Sequence, residues 1–260
     1  MRLTIYSILL ALSIEVSHAA TVAQNFDTLN IGESAMATDW SYIKVSSDPA
    51  NSYTTVSGRT GNAAQITGNN DVTALHPAGS YIVNGGSVAF DVKSTITGSF
   101  SYYINTAARA SGGIFMLGNV ATGITKTDAG QYIGMQMMTD SFGNRGGIID
   151  GAGSTLASST GNQVGLDWYT IGFTWTPTSG RTGNFAVTGT GTSKSWTASH
   201  NGYTFDSDEA YLGLGAGDYY TTSMTVKFDD VSITGTVIPE PTSVLLTCVG
   251  SLALLFRRKR

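Results

Sequence analysis

The segment WYTIGFTWT, residues 168–176, constrains the fold more than any other part of the sequence. Large apolar side chains alternate along it with threonine and glycine; the apolar set is Tyr169, Ile171, Phe173 and Trp175. Alternation with period two predicts a β-strand with one buried and one wetter face, as in an antiparallel sheet. The same pattern recurs in residues 88–93, 100–104 and 133–137, and no convincing helical period interrupts it between residues 20 and 238.

Turn signals separate these alternating runs at short intervals. They are Asn84-Gly85-Gly86, Gly143-Asn144, Gly161-Asn162, Gly183-Asn184 and Asn201-Gly202. Glycine and asparagine adopt positive φ at little cost, as tight hairpins require. We therefore predict about a dozen short strands in one two-sheet antiparallel sandwich, without a linker that would divide it into two domains.

The last alternating run, residues 224–234, slips by one residue at Asp229-Asp230. Before the slip Val226 and Phe228 share one parity, whereas Val231 and Ile233 share the other. A β-bulge at the two aspartates would return both halves to the same core face. The alternative is a strand that is buried on both faces and ends at a turn.

The N-terminal segment has the order of a secretory signal peptide. Arg2 precedes an apolar run over residues 3–14, and small residues follow at Ser17 and Ala19. This order predicts export, with cleavage after Ala19 or Ala20. We therefore assign residues 1–20 to the signal peptide and 21–236 to the sandwich domain.

The C-terminal segment, residues 237–260, combines three features in order. Pro239-Glu240-Pro241 precedes an apolar run over residues 242–256, and the chain ends in the basic residues Arg257, Arg258, Lys259 and Arg260. The apolar run would give about 22 Å of helix, which is short for a hydrocarbon core of about 30 Å. The basic cluster would stop transfer and stay in the cytoplasm. These features predict a temporary membrane stop that is later removed.

Charge and cysteine content narrow the function classes. Residues 20–238 carry nine Lys and Arg against 16 Asp and Glu, a net charge of −7. Such an acidic body would repel phosphate backbones, so we do not expect a nucleic-acid partner. The single cysteine, Cys248, lies in the C-terminal segment, so the sandwich must be stabilised by its core without a disulfide.

The C-terminal segment resembles the PEP-CTERM sorting signal of Gram-negative bacteria that make extracellular polysaccharide. The resemblance implies an exosortase, a membrane-embedded cysteine peptidase, that acts near the Pro-Glu-Pro motif. The signal peptide implies the secretion machinery as a partner, and the C-terminal apolar helix would tether the chain to the inner membrane before processing. The final location would be the cell surface, the outer envelope or the extracellular matrix.

The body resembles a concanavalin A-like, or laminin G-like, jelly roll at the level of pattern. The similar segments are QNFDTLNIG at residues 24–32, Trp40, and residues 166–189, 210–218 and 226–235. Carbohydrate-binding modules, glycosidases and adhesion domains share this architecture, so the resemblance raises the expectation of sugar binding without assigning it.

The residues that catalysis would need are sparse, and we predict that the protein is not an enzyme. The body has two glutamates, Glu33 and Glu209, and lacks the Glu-x-Asp-x-x-Glu arrangement of concanavalin A-like glycosidases. Its two histidines, His76 and His200, lie in turn settings, and no Gly-x-Ser-x-Gly, His-Glu-x-x-His or Cys-x-x-Cys motif occurs. The acidic group Asp206, Asp208 and Glu209 is best explained as a solvated turn, with a calcium loop as the alternative.

Calcium is the metal that this sequence best suits, because it prefers several carboxylate and carbonyl oxygens. The first and last strands of a jelly roll commonly lie side by side, which would bring Asp27 near Asp229 or Asp230. A bulge there could aim one carboxylate inward. The sequence therefore leaves two interpretations open: Asp27 begins a turn and the aspartate pair caps an edge strand, or these three residues hold a structural calcium.

Aromatic side chains on polar-facing or loop positions are candidates for stacking on a sugar ring: Tyr103, Trp196, Tyr219 and Tyr220. Each has core or sheet packing as its alternative role. The sequence thus predicts an exported, non-enzymatic envelope or matrix protein that binds polysaccharide. The alternatives are a structural or adhesive envelope protein without a sugar site and a jelly-roll glycoside hydrolase or lyase.

Overall fold

The computed structural model describes residues 18–24, 26, 40–44, 52–68, 80–83, 88–104, 110–121, 124, 128–139, 147–158, 167–192, 195–216 and 224–238. Within these ranges the chain forms β-strands joined by turns. The strands are β1 (Ala19–Gln24), β2 (Ser41–Lys44), β3 (Ser52–Ser57), β4 (Asn62–Gly68), β5 (Ser80–Val83), β6 (Ala89–Asp91), β7 (Ile96–Ile104), β8 (Ala110–Gly118), β9 (Tyr132–Thr139), β10 (Gly147–Asp150), β11 (Thr155–Ser158), β12 (Trp168–Ser179), β13 (Thr182–Thr190), β14 (Ser195–Thr204), β15 (Glu209–Ala216) and β16 (Met224–Ile238).

All described strand pairs are antiparallel, and they form two sheets. Sheet A has the order β3-β4-β16-β7-β12-β13-β14, and β1 pairs with the second half of β16 on the side where β4 pairs with the first half. Sheet B has the order β2-β5-β15-β8-β9-β10-β11. The short strand β6 pairs with β15 and with the end of β16, and so connects the two sheets.

The core lies between the sheets and is filled by the residues that the alternation assigns to it. On β12, Tyr169, Ile171, Phe173 and Trp175 are all buried. The ring of Phe173, from sheet A, stacks on that of Phe115, from sheet B, with centroids 5.4 Å apart. The other face of β12 carries threonine and glycine and remains at least partly exposed. The two-sheet antiparallel fold predicted from period-two alternation is therefore confirmed.

The predicted β-bulge lies in β16. Asp229 pairs with Ser101 of β7 and Ser232 pairs with Ser99, so two residues of β16 oppose one residue of β7. Asp230 has a φ of 50°, which is uncommon for a residue other than glycine. Core burial continues through the bulge from Phe228 to Val231, as the change of parity predicted.

Both terminal strands cross the predicted domain boundaries. Strand β1 begins at Ala19, inside the predicted signal peptide, and β16 continues through Val237 to Ile238, beyond the predicted boundary at residue 236. Val237 is buried and pairs with Phe90. In the described ranges the chain forms no helix with the length and hydrophobicity that a membrane crossing needs. The predicted sorting motif at Pro239, Glu240 and Pro241 and the basic residues Arg257, Arg258, Lys259 and Arg260 lie outside the described residues, as does most of the predicted signal peptide.

Candidate functional site

A row of three large side chains crosses the outer face of sheet A. Tyr103 of β7 pairs with Trp168 of β12 on one side and with Lys227 of β16 on the other. The rings of Tyr103 and Trp168 lie 5.4 Å apart at an angle of 40°, and the Lys227 Nζ lies 5.7 Å from the Tyr103 ring centroid. Lys227 also donates a hydrogen bond to the carbonyl of Ser57 at 3.2 Å. All three side chains of this row are half-buried, so their outer parts are available to a ligand.

Arg59 reaches across the same face from the turn between β3 and β4. Its Nη1 donates to the Thr170 hydroxyl at 2.7 Å and to the Ser101 hydroxyl at 3.3 Å. Thr170 and Ser101 lie two residues from Trp168 and Tyr103 on the same two strands. Because residues i and i+2 of a strand share a face, the guanidinium lies beside the aromatic pair. We call Tyr103, Trp168, Lys227 and Arg59 the outer-face site.

Asp229 of the bulge holds the turn that carries Arg59. Its Oδ2 accepts hydrogen bonds from the backbone N–H groups of Arg59 at 2.9 Å and Thr60 at 3.2 Å, and its Oδ1 accepts one from Asp230 at 2.8 Å. The carboxyl is fully buried. Burial raises the pKa of Asp229, and the charge of Asp230 acts in the same direction, whereas the N–H donors oppose it.

Asp230 stays on the surface beside this turn. Its carboxylate accepts hydrogen bonds from the hydroxyls of Thr60 at 3.1 Å and Ser101 at 3.3 Å. A shallow depression begins here; its lining residues are Ala23, Gln24, Asp230, Val231 and Ser232. The outer-face site therefore has an exposed carboxylate and an open recess at one side.

Asp167 fixes the start of β12 and thereby the position of Trp168. Its carboxylate accepts hydrogen bonds from the backbone N–H of Trp168 at 2.8 Å and from the hydroxyl and backbone N–H of Thr192 at 2.8 and 2.9 Å. Slight desolvation would raise the pKa of Asp167, but these hydrogen bonds and the nearby Arg59 lower it. Asp167 is thus a charged neighbour of the site.

The structure corrects one predicted stacking residue and retains another. Trp196 of β14 is only 3% exposed and belongs to the core. It shares its parity with the buried Ala198, and its indole packs so closely on Gly189 that a Cβ there would lie 2.2 Å from Cε2. The prediction that Trp196 stacks on a sugar is therefore wrong, because its ring faces the other sheet. Tyr103 lies on the outer face, and its role in binding stays a prediction.

Two further predicted groups fall wholly or partly outside the described residues. Tyr219 and Tyr220 lie outside them, and so does Asp27. The strand arrangement behind the calcium prediction is present, since Gln24 at the end of β1 pairs with Val231 beside the bulge. Both Asp229 oxygens accept backbone hydrogen bonds, and in the described part of the chain no three His, Cys, Asp or Glu side chains are grouped to hold a metal ion. A structural calcium stays a prediction.

A second pair of carboxyls lies at the turn after β14. Burial, together with the neighbouring Asp128, raises the pKa of Asp206. Asp208 nearby binds Lys93 at 2.6 Å, in an ion pair whose side chains are about half exposed. The neighbouring Asp128 carboxyl disfavours ionisation of Asp206, because two like charges close together repel. Asp128 also accepts a hydrogen bond from the backbone N–H of Gly130 at 3.1 Å, which gives it a role in holding the turn before β9. The hydrolase alternative stays a prediction.

Sequence reasoning missed Trp168 and Arg59. Trp168 carried a usable signal, because it is a large aromatic residue with the parity of Thr170, on the hydroxyl-bearing face of an amphipathic strand. Arg59 carried no such signal in the sequence. Its position beside β7 and β12 depends on a turn that folds over strands more than 40 residues away along the chain.

These two sheets, with their antiparallel order and the short connecting strand, define a concanavalin A-like jelly roll. No protein-family model matches the chain, and no curated protein matches it. Among solved structures the chain is similar to peanut lectin bound to a nine-residue peptide, with 14% identity, a TM-score of 0.50, and coverage of 84% of this chain and 99% of the lectin. It is similar to lectin II from Ulex europaeus with 9% identity, a TM-score of 0.52 and coverage of 84% and 99%.

An enzyme is among the similar structures as well. An alginate lyase mutant in complex with alginate trisaccharide has 10% identity, a TM-score of 0.53 and coverage of 84% of this chain and 99% of the lyase. At such low identity these similarities define the fold that the chain shares with lectins and with a lyase. The function has to be argued from the residues on this chain.

Proposed function

We propose that this chain is an exported, non-enzymatic protein of the cell envelope or extracellular matrix that binds polysaccharide at the outer-face site. The observation that carries the proposal is the Tyr103–Trp168 pair, half-buried on a sheet face beside Arg59 and Lys227. A half-buried aromatic ring leaves part of its apolar surface accessible, and the apolar face of a sugar can stack there. The neighbouring hydrogen-bond donors can bind the hydroxyl groups of the sugar.

The charges around the site favour a neutral saccharide. Arg59 and Lys227 contribute two positive charges, and the carboxylates of the half-buried Asp167 and the exposed Asp230 contribute two negative ones. The site therefore has no excess of positive charge, on a body with a net charge of −7. An acidic polymer would be repelled at long range and would gain little at the site itself.

Export and sorting belong to the same proposal. The signal peptide directs the chain across the inner membrane, and an exosortase removes the C-terminal segment near Pro239-Glu240-Pro241. Mass spectrometry of the surface-located protein tests this step. A mature C-terminus near the motif is expected, and an intact Arg260 contradicts it.

Binding is tested on an array that carries neutral oligosaccharides, including cellohexaose, together with alginate trisaccharide. We expect the full-length chain to bind neutral members, and Tyr103→Ala and Trp168→Ala each to weaken binding by at least tenfold. Thr188→Ala, on the same sheet face but one strand beyond β12, is the matched control and should bind like the wild type. Absence of any neutral ligand, or equal binding by the Trp168→Ala variant, refutes the proposed site. Release of reducing ends from a bound polysaccharide would contradict the non-enzymatic assignment.

A further inference from the structure

The β3–β4 turn, residues 58–61, folds over the bulge of β16 on the outer face of sheet A. Gly58 donates its N–H to the carbonyl of Gly61 at 2.9 Å, which closes the turn, and Asp229 accepts the next two backbone N–H groups. A buried carboxylate on a central strand thus fixes the backbone of a surface turn. Because the backbone of the turn is fixed, the Arg59 side chain that the turn carries is also held in position.

Resting on the proposed function, we propose that Asp229 is a positioning residue for the outer-face site. It holds the turn so that the guanidinium of Arg59 lies beside Tyr103 and Trp168 and donates hydrogen bonds to a bound neutral saccharide. Asp229 itself lies beneath the turn and does not touch the saccharide.

The close packing of the turn on Asp229 leaves little freedom to the backbone. A Cβ on Gly58 would lie 2.5 Å from the Asp229 Oδ2 and 2.9 Å from the backbone carbon of Asn62. Glycine is therefore required at residue 58 by the approach of the carboxylate. Gly61, with a φ of 70°, completes the turn in a conformation that glycine adopts readily.

Arg59 is placed to serve both the sheet and a ligand. Its Nη1 is engaged by Thr170 and Ser101, one hydroxyl on each of the two strands that carry the aromatic rings. Among the described residues, the hydrogen bonds of its side chain all come from Nη1, so Nε and Nη2 are available to a ligand. Because the guanidinium is planar and has five N–H donors, fixing Nη1 also fixes the directions of the others. If the turn were lost, the guanidinium group would no longer be held at the outer-face site.

A measurement without ligand tests the positioning directly. Of the four tryptophans, Trp40, Trp175 and Trp196 are buried and Trp168 is half-buried, so quenching by ions reports mainly on Trp168. The positive charge of Arg59, within a Debye length of that ring, should raise quenching by iodide relative to caesium. We expect Arg59→Ala and Asp229→Asn each to lower the iodide-to-caesium ratio about twofold, as loss of a screened unit charge within that length predicts.

A double-mutant cycle separates positioning from general stability. If Asp229 acts through Arg59, then Asp229→Asn lowers the ratio in the wild type and leaves it unchanged in the Arg59→Ala background, although the melting temperature falls in both. Gly58→Ala, whose Cβ would push the turn away from the Asp229 carboxylate, should reproduce the Asp229→Asn ratio and serves where that variant does not fold. An unchanged ratio in folded Asp229→Asn or Gly58→Ala, or a further decrease in the Arg59→Ala background, overturns the proposal.

Titration with cellohexaose relates the same variants to function. Asp229→Asn and Arg59→Ala should each weaken its binding about fivefold, the value of one hydrogen bond, and the double variant should be no weaker than Arg59→Ala. Weakening by both variants in additive amounts contradicts positioning. If the wild type does not bind cellohexaose while the quenching ratios behave as expected, the positioning stands and the assignment of this saccharide fails.

Discussion

Replacement of Asp229 by alanine should destabilise the protein by about 3 kcal/mol. Three backbone N–H groups lose their acceptor, and a net value of about 1 kcal/mol for each hydrogen bond gives this sum. Two corrections act in opposite directions. Relief of the buried charge, which the raised pKa of Asp229 reflects, reduces the loss, and the void left under the turn increases it. For a body of this size, the loss corresponds to a decrease of about 6–12 °C in melting temperature.

Urea unfolding followed by tryptophan fluorescence, with calorimetry for the melting temperature, measures the effect at neutral pH. The matched control is Asp208→Ala, which removes a carboxylate from a half-exposed ion pair and should cost less than about 1 kcal/mol. The slope of free energy against urea should not change, since the surface exposed on unfolding is the same. A loss for Asp229→Ala no greater than that for Asp208→Ala would refute the reasoning, because the carboxylate would then not hold the turn.

Asp230→Gly should be less destabilising than Asp230→Ala, by about 1 kcal/mol, because both lose the hydrogen bonds from Thr60 and Ser101 but only alanine is strained at a φ of 50°; equal losses in urea unfolding contradict this strain. Gly189→Ala should lower the melting temperature by several degrees, since its Cβ would overlap the buried indole of Trp196. Asp206, whose pKa is raised, contributes stability that is present at low pH and lost as the pH rises through its folded-state pKa. Asp206→Asn should therefore remove part of the decrease in stability that occurs as the pH rises above the ordinary pKa of aspartate, and an unchanged pH profile argues against it. Chelation of calcium should lower the melting temperature if a structural ion is present, and an unmoved value removes that prediction.

Local alternation was sufficient to predict the fold because the burial of each side chain follows directly from strand parity. Residues 169–175 and the change of parity at Asp229 are the clearest cases, and the second also located the bulge. The error at Trp196 came from setting aside the same rule, since its parity with Ala198 already places it in the core.

The chemistry of the outer-face site depends on contacts that no local pattern records. The Asp229 carboxylate was predicted to turn toward a metal, whereas the structure gives it the backbone N–H groups of a turn 170 residues away in sequence. The position of Arg59 follows from that contact. Neither the acceptor nor the donor is unusual in its own segment, so only the folded arrangement reveals their relation.

Strand β16 gives the C-terminal end of the body a particular resistance to mechanical load. It runs for 15 residues to Ile238 and is hydrogen-bonded along one side to β7 and along the other to β4 and β1. A force applied beyond Ile238 and directed along the strand would shear these ladders together, because they lie parallel to the pull, instead of opening them one bond at a time. Forced extension of the chain should therefore begin elsewhere, and the end of β16 would transmit tension between the body and whatever holds residue 239 onward.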